Sequence, residues 1–257
     1  MNKIFTLRKS ISYPFLKRII PSILKIINYE KVTKIHNFRL SLKSAISNER
    51  FFLIHKSQYE KKQTSLLKKL IKKHKINIFF DIGANIGFYS FFAEKNCNLN
   101  EIYSFEVNSL VYLRLLNNIR INKSLVNSYN LGCSNIKKNA KIWYTSFSKS
   151  AGTSILDTSD PHYAKYNKKK INLSKCKLIR LDDMYKFKNR RIYFKIDVER
   201  HEKKVILGAK NLIANNKIIL QVEIFPEMKK KMFNLLKKYN LFFIAKIESD
   251  YFFTNIK

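Results

Sequence analysis

A chain of 257 residues is long enough for one large domain, or one domain with an extension. Lys and Arg number 51 against 18 Asp and Glu, a formal net charge of +33 that excludes an acidic solvating tail and suits anionic partners. The 46% hydrophobic and 14% aromatic shares exclude a disordered chain.

The basic excess runs along almost the whole chain together with Asn, Ile, Phe and Tyr, residue types that share AT-rich codons. Base composition therefore accounts for it as well as a polyanion-binding role does. Cys97, Cys133 and Cys176 lie far apart with no C-x-x-C pair, which fits a reducing, cytoplasmic setting. The richest apolar stretch, 76–93, is interrupted by Asp81, Asn85 and two glycines, so no membrane span is expected. Arg8, Lys9, Lys17, Arg18 and Lys25 likewise break every candidate signal-peptide core.

Residues 1–58 read as a basic N-terminal extension and 59–257 as the main domain. Pro14 and Pro21 limit any early helix to short pieces. The apolar and basic residues of 1–28 suit either packing on the domain or peripheral contact with the inner face of an anionic membrane. From Glu60 to His74, Leu66, Leu67, Leu70 and Ile71 recur at helical spacing with lysines opposite, the pattern of a helix covering a sheet.

Next come a strand at Ile76–Ile82, a helix at Ile86–Lys95, a strand at Glu101–Glu106, a helix at Ser109–Asn122 and a strand near Val126–Leu131. The stretch Lys141–Tyr166 has no clear period and reads as an irregular insertion. Strands at Cys176–Leu181 and Arg191–Asp197 precede one helix at His201–Ala214 and a strand at Lys217–Ile224. A helix from Pro226 to Tyr239 then leads to a hairpin, Leu241–Ile247 with Tyr251–Ile256. This alternation predicts a doubly wound, mainly parallel α/β sheet with a C-terminal antiparallel hairpin.

Two segments carry chemistry. In the first, the strand ending in Asp81 runs into a turn with Gly83, Ala84, Asn85 and Gly87 that opens a helix, a place where backbone can approach a ligand. Asn85 stands where a dinucleotide fingerprint needs its second glycine. Glu106, at the end of the following strand and just before Asn108, is placed to accept hydrogen bonds from ribose hydroxyls. A nucleoside cofactor without a diphosphate, S-adenosylmethionine, fits both features. In the second segment Asp197, Glu199, His201 and Glu202 converge at the carboxyl edge of the sheet, with Lys195 beside them to keep a carboxylate ionised. A capped helix start explains the same acids.

The strings FDIGANIGFYS, YSFEVN, LDD and KIDVERHEKKVILGA, with Val222-Glu223 after them and Tyr59-Glu60 before, resemble the FkbM family of S-adenosylmethionine-dependent methyltransferases over roughly residues 55–225. The resemblance implies a class I, Rossmann-like methyltransferase that acts on a hydroxyl of a sugar, glycan or glycosylated metabolite. It also implies a cofactor loop of Asp81, Gly83, Asn85 and Gly87, a ribose contact at Glu106, and Asp197, Glu199 and Glu202 on the reaction edge. Arg200 occupies the place of the family's glycine. Its side chain either sits in an ordinary turn or enters the pocket mouth, where it would favour an acidic or phosphorylated acceptor; a lipid-linked glycan would suit the N-terminal segment.

A hydroxyl needs a base as it attacks a sulfonium methyl, and Asp197 and His201 are the candidates. An RNA methyltransferase, favoured by charge and by Phe51, Phe52, Trp143 and Tyr144, is the alternative enzyme. The sequence lacks its D/N-P-P-Y/F tetrapeptide and a Pro-Cys nucleophile, so no specific nucleic acid is expected. A non-catalytic cofactor-binding module is the third reading, motivated by Arg200.

Overall fold

Ile-Phe-Phe-Asp-Ile at 78–82 is buried at all five positions, as a strand covered on both faces must be. The computed structural model describes residue 23 and residues 29–55, 58–145, 154–155 and 171–256. Among these, seven strands form the main sheet: β3 (Ile78–Ile82), β4 (Glu101–Phe105), β5 (Asn127–Tyr129), β10 (Arg191–Ile196), β11 (Lys217–Glu223), β12 (Phe242–Ile247) and β13 (Asp250–Thr254). Their order is β12-β13-β11-β10-β3-β4-β5, parallel throughout except for β13 and β12. The expected doubly wound sheet and its C-terminal hairpin are both present.

Alternation along the strands divides the core. Phe79, Tyr193, Ile219 and Phe252 face one layer, while Phe80, Phe194, Leu220 and Phe253 face the other. The helices expected between strands appear as α2 (Lys61–Lys73), α3 (Phe88–Asn96) and α4 (Ser109–Asn122).

Three elements ahead of Tyr59 were not foreseen. β1 (Glu30–Ile35) and β2 (Phe38–Lys43) form an antiparallel hairpin, followed by α1 (Ser47–His55). Within the segment expected as an extension, residues 30–55 thus supply core side chains, among them Ile35, Phe38, Leu40, Leu42 and Phe52. Asn118 joins this hairpin to the rest, accepting from the Ser41 amide at 2.8 Å and donating to the Ile86 carbonyl at 3.0 Å. Arg114 forks onto Glu49, whose Oε2 also accepts from the Lys43 amide at 2.7 Å. The turn residue His36 has φ 51°, a left-handed conformation without the Asn-Gly signal that marks such turns. The segment 1–22 and residues 24–28, on which the membrane expectation rests, lie outside the described residues. No described helix is long and apolar enough to cross a membrane.

Part of the stretch expected to be irregular is ordered. β7 (Lys138–Thr145) pairs antiparallel with β9 (Ile171–Ile179), which also pairs with β6 (Gly132–Cys133), while β7 also pairs with β8 (Ser154–Ile155). Residues 146–153 and 156–170 lie outside the described residues. The strand expected to end at Leu181 stops at Ile179, and α5 (Leu181–Met184) follows.

The helix expected over His201–Ala214 is two, α6 (Glu202–Gly208) and α7 (Lys210–Asn215). Asp182, 2% exposed, accepts from the amides of Asn211 and Leu212 at 3.0–3.1 Å and so caps a fresh helix start. Pro226–Met228 is a single 3-10 turn ahead of α8 (Lys229–Lys238).

Because Phe38 is 2% exposed and packs on Phe88 and Phe91, Phe38→Ala is expected to destabilise the whole domain by about 3–5 kcal/mol. Urea unfolding measures this; a hairpin that is a mere appendage would leave the main transition unmoved.

Candidate functional site

The strand order reverses at β3, which pairs with β4 on one side and β10 on the other. Open α/β sheets bind ligands outside the carboxyl ends of strands at such a crevice. A cavity lies there, lined by the ends of β3, β4 and β10 and by the Leu131–Cys133 segment, with Phe52, Tyr59 and Glu60 from the N-terminal side.

Backbone bonds knit the crevice. The amides of Gly83 and Ala84 donate to the Phe105 carbonyl at 2.9 and 3.0 Å, and the Asp197 amide donates to the Ile82 carbonyl at 3.0 Å. Gly83 has φ +85°, and a Cβ on it would lie 1.8 Å from the Asp197 carbonyl oxygen. The glycine expected to make room for a ligand therefore makes room for the neighbouring strand. Gly87, φ +95°, does not line the cavity; a Cβ there would meet the side chains of Phe91 and Leu115 within 2.6 Å. Asn85, φ 52°, adopts the left-handed turn that Asn tolerates.

Glu106 is buried at the cavity wall. Its Oε2 accepts from the Asn85 amide at 2.9 Å and its Oε1 from the Asn108 amide at 2.8 Å, so one carboxyl group ties the two loops together. Burial pushes it up to about 7, against the pull of those two amides. Asn108 stands behind the wall and caps α4, its Oδ1 accepting from the Leu110 amide. Asp81 lines the cavity, accepts from the Ser90 hydroxyl at 2.5 Å, and is raised by burial to about 6.

At the other end, Asp197, Glu199 and His201 line the cavity, and Glu202 does not. Lys195 is only 3% exposed and its Nζ lies 3.1 Å from Asp197 Oδ2. Burial acts to lower its pKa, but the carboxylates of Asp197, Asp250, Glu60 and Asp81 outweigh this and raise it, so it is a cation. His201 is buried and its Nε2 is 2.9 Å from the Ser134 hydroxyl. Glu202, wholly buried, accepts through Oε1 from the amides of Val198 and Arg200 at 3.2 and 3.1 Å, which makes it the brace of the turn. Ser134, Glu60 and the Leu131–Cys133 wall were missed as site residues; only Tyr59-Glu60 had a sequence signal, its place upstream of the motifs.

The turn is left-handed at two consecutive non-glycine residues, Glu199 with φ 53° and Arg200 with φ 78°. Arg200 is therefore in the conformation that a glycine favours, not in an ordinary turn. Nor does it line the cavity. Its guanidinium lies 4.5 Å from the Phe225 ring centroid and pairs with Glu227 at 2.5 Å, which removes the reason to expect an acidic acceptor at this point.

The family model described as Methyltransferase FkbM domain matches residues 81–244. A methyltransferase FkbM from Methylobacillus flagellatus KT is similar in structure at 12% identity and TM-score 0.48, over 69% of this chain and 43% of that one. M. jannaschii TYW2, solved in complex with AdoMet, gives 12% identity and TM-score 0.44 over 88% and 84% of the two chains. A tRNA m1G37 methyltransferase from M. jannaschii gives 12% and 0.45 over 88% and 56%. No curated protein matches the chain.

The Arg200 conformation predicts an inverted stability order. At an ordinary turn alanine is better than glycine, whereas at φ 78° glycine avoids about 1–2 kcal/mol of left-handed strain. Arg200→Gly should therefore melt above Arg200→Ala in thermal denaturation, and the reverse order would place Arg200 in an unstrained turn.

Proposed function

Because the chain belongs to the FkbM methyltransferase family and carries a class I, S-adenosylmethionine-dependent methyltransferase domain, we propose that it methylates a hydroxyl of a neutral sugar, glycan or glycosylated metabolite. The charge inside the cavity is the observation that carries this reading. In a chain of net charge +33, the walls hold Glu60, Asp81, Glu106, Asp197 and Glu199 against Lys195, with Glu49 paired to Arg114. Carboxylates accept hydrogen bonds from hydroxyls, and the rings of Phe52, Tyr59 and Phe88 offer flat apolar faces to a sugar. A phosphate chain would be repelled by the same walls, which disfavours the RNA reading.

The residues fit S-adenosylmethionine. Glu106 keeps carboxylate lone pairs for the ribose hydroxyls after its two amide bonds, Val107 and Leu131 form an apolar wall, and the Gly83–Asn85 turn lies across the strand end. The cofactor supplies a methyl group on an already activated sulfonium, so the protein's task is alignment and removal of the acceptor's proton. Asp197 is the base in this reading: its side chain is 42% exposed, it lines the cavity, and Lys195 pairs with it at 3.1 Å. His201, engaged with Ser134, positions the wall beside it. Glu199 binds acceptor hydroxyls, and Glu202 acts by holding the turn.

Two measurements test the reading. Glu106 must be ionised to accept two hydroxyls. Because burial raises it to about 7, S-adenosylmethionine affinity should fall as pH drops below 7, approaching tenfold per unit; Asp81, raised to about 6, adds to the fall at the acid end. Calorimetry on Glu106→Gln should show weaker binding with a flattened profile between pH 6 and 7.5, and a wild-type profile in that variant would remove the ribose contact. In addition, labelled methyl groups should pass to neutral sugars or glycosides and not to RNA. Asp197→Asn should slow that transfer by about 10²–10⁴ while cofactor binding persists. Transfer to RNA alone would favour the other enzyme.

A further inference from the structure

Glu60 stands at the start of α2, where its carbonyl accepts from the Thr64 amide at 2.9 Å and opens the helix. An acidic side chain at that position ordinarily caps the helix by accepting from one of the next amides. Glu60 makes no such bond. Its backbone is left-handed, with φ 43° and ψ 36°, and it lines the reactive cavity instead, its Oε2 accepting from the Tyr89 hydroxyl. A non-glycine residue in that conformation carries strain that its surroundings must hold. What they hold here is an acid turned away from a helix and into a site.

The site is itself acidic. Asp81, Glu106, Asp197 and Glu199 line the same cavity from the ends of β3, β4 and β10, whereas Lys195 is the one Lys or Arg that does so among the described residues. Lys195 is already matched by Asp197 at 3.1 Å. The field that remains favours a cation, and low-dielectric walls strengthen it.

S-adenosylmethionine and S-adenosylhomocysteine share the nucleoside, the ammonium and the carboxylate, and differ by one methyl group and one positive charge on sulfur. When transfer to the acceptor oxygen ends, Asp197 holds the acceptor's proton and the sulfur has kept the electron pair of the broken S–CH3 bond. One negative and one positive charge have gone together. Loss of that proton to water restores the Asp197 carboxylate with no sulfonium left to face it, so the resting cavity is again matched to the charged ligand and not to the neutral one.

We propose that Glu60, together with Asp81, makes the cavity selective for charge on the cofactor's sulfur, so that it holds S-adenosylmethionine in preference to S-adenosylhomocysteine and limits inhibition by its own product. The inference rests on the cofactor reading above and adds to it the residues that set the order of the two affinities.

Calorimetry at pH 7.5, above the values of about 7 and about 6 to which burial raises Glu106 and Asp81, compares three probes. They are S-adenosylmethionine, S-adenosylhomocysteine and sinefungin, in which an amine-bearing carbon replaces the methylated sulfur. Wild type should hold both cationic probes at least tenfold more tightly than S-adenosylhomocysteine. Glu60→Gln keeps an oxygen for Tyr89 but removes the charge, and should shrink that ratio at least threefold by weakening the cationic probes. A purely structural role would weaken all three alike, and an unchanged ratio in a folded Glu60→Gln overturns the assignment. Asp81→Asn should shift the ratio in the same direction, and decides the matter if Glu60→Gln does not fold. S-adenosylhomocysteine binding as tightly as S-adenosylmethionine in the wild type overturns the proposal without any variant, while leaving the cofactor reading intact. Failure of the wild type to bind any of the three overturns the methyltransferase reading and this inference with it.

Discussion

The site depends on how closely β3 and β10 approach at their carboxyl ends. A Cβ on Gly83 would overlap the Asp197 carbonyl, so only glycine lets the two chain segments meet there. That contact sets the Asp197 amide on the Ile82 carbonyl and places the Asp197 side chain at the cavity. Next to it, the Gly83 and Ala84 amides reach across to the Phe105 carbonyl, which in turn fixes where Glu106 begins. The proposed cofactor loop, ribose acid and base are thus all positioned by one steric allowance at the point where the strand order reverses.

Around this point the protein separates its charges. Lys195 is buried among carboxylates from four places in the fold: Asp197 just past the end of its own strand, Asp81 on β3, Asp250 on β13 and Glu60 ahead of α2. A lysine so placed stays ionised because those groups surround it, and in turn its charge opposes the upward push of burial on Asp81, Asp250 and Glu60. Tyr89 belongs to the same cluster, its ring 4.8 Å from the ammonium and its hydroxyl donating to Glu60. Among the described residues much of the positive charge lies elsewhere, on exposed lysines of the helices and of the β7–β9 ladder. Net charge alone therefore describes the surface and misdescribes the cavity.

The Glu199–Arg200 turn shows how two successive left-handed non-glycine residues are accommodated. Two left-handed residues in succession cost roughly 1–3 kcal/mol each, and the surroundings hold them in place. The Glu202 carboxylate takes two of the turn's amides, the Ser154 hydroxyl donates to the Glu199 carbonyl at 2.8 Å, and Arg200 anchors on Phe225 and Glu227. The result keeps Glu199 at the cavity while the arginine side chain is carried away from it.

What the sequence determined by itself is local. The apolar run of β3, the 3.6-residue period of α2 and the bounds of α4 follow from neighbouring residues, and so does the placing of Asp81 and Glu106 at strand ends, because strand and helix periods are short-range. Other features required contacts between segments distant in the chain. Gly83 looks the same whether it clears space for a ligand or for a strand, and Arg200 shows no sign in the sequence of its left-handed backbone or its partners. The β1–β2 hairpin carries no recognisable turn signal, and its place in the core is set by distant elements: Phe38 packs on Phe88 and Phe91 of α3, and Asn118 and Arg114 of α4 bond Ser41. The break between α6 and α7 is set by Asp182, a residue of another element, taking the amides that a continuous helix would have used. Burial, close approach and the sign of the field inside the cavity are sums over several elements at once, and only the tertiary structure performs that sum.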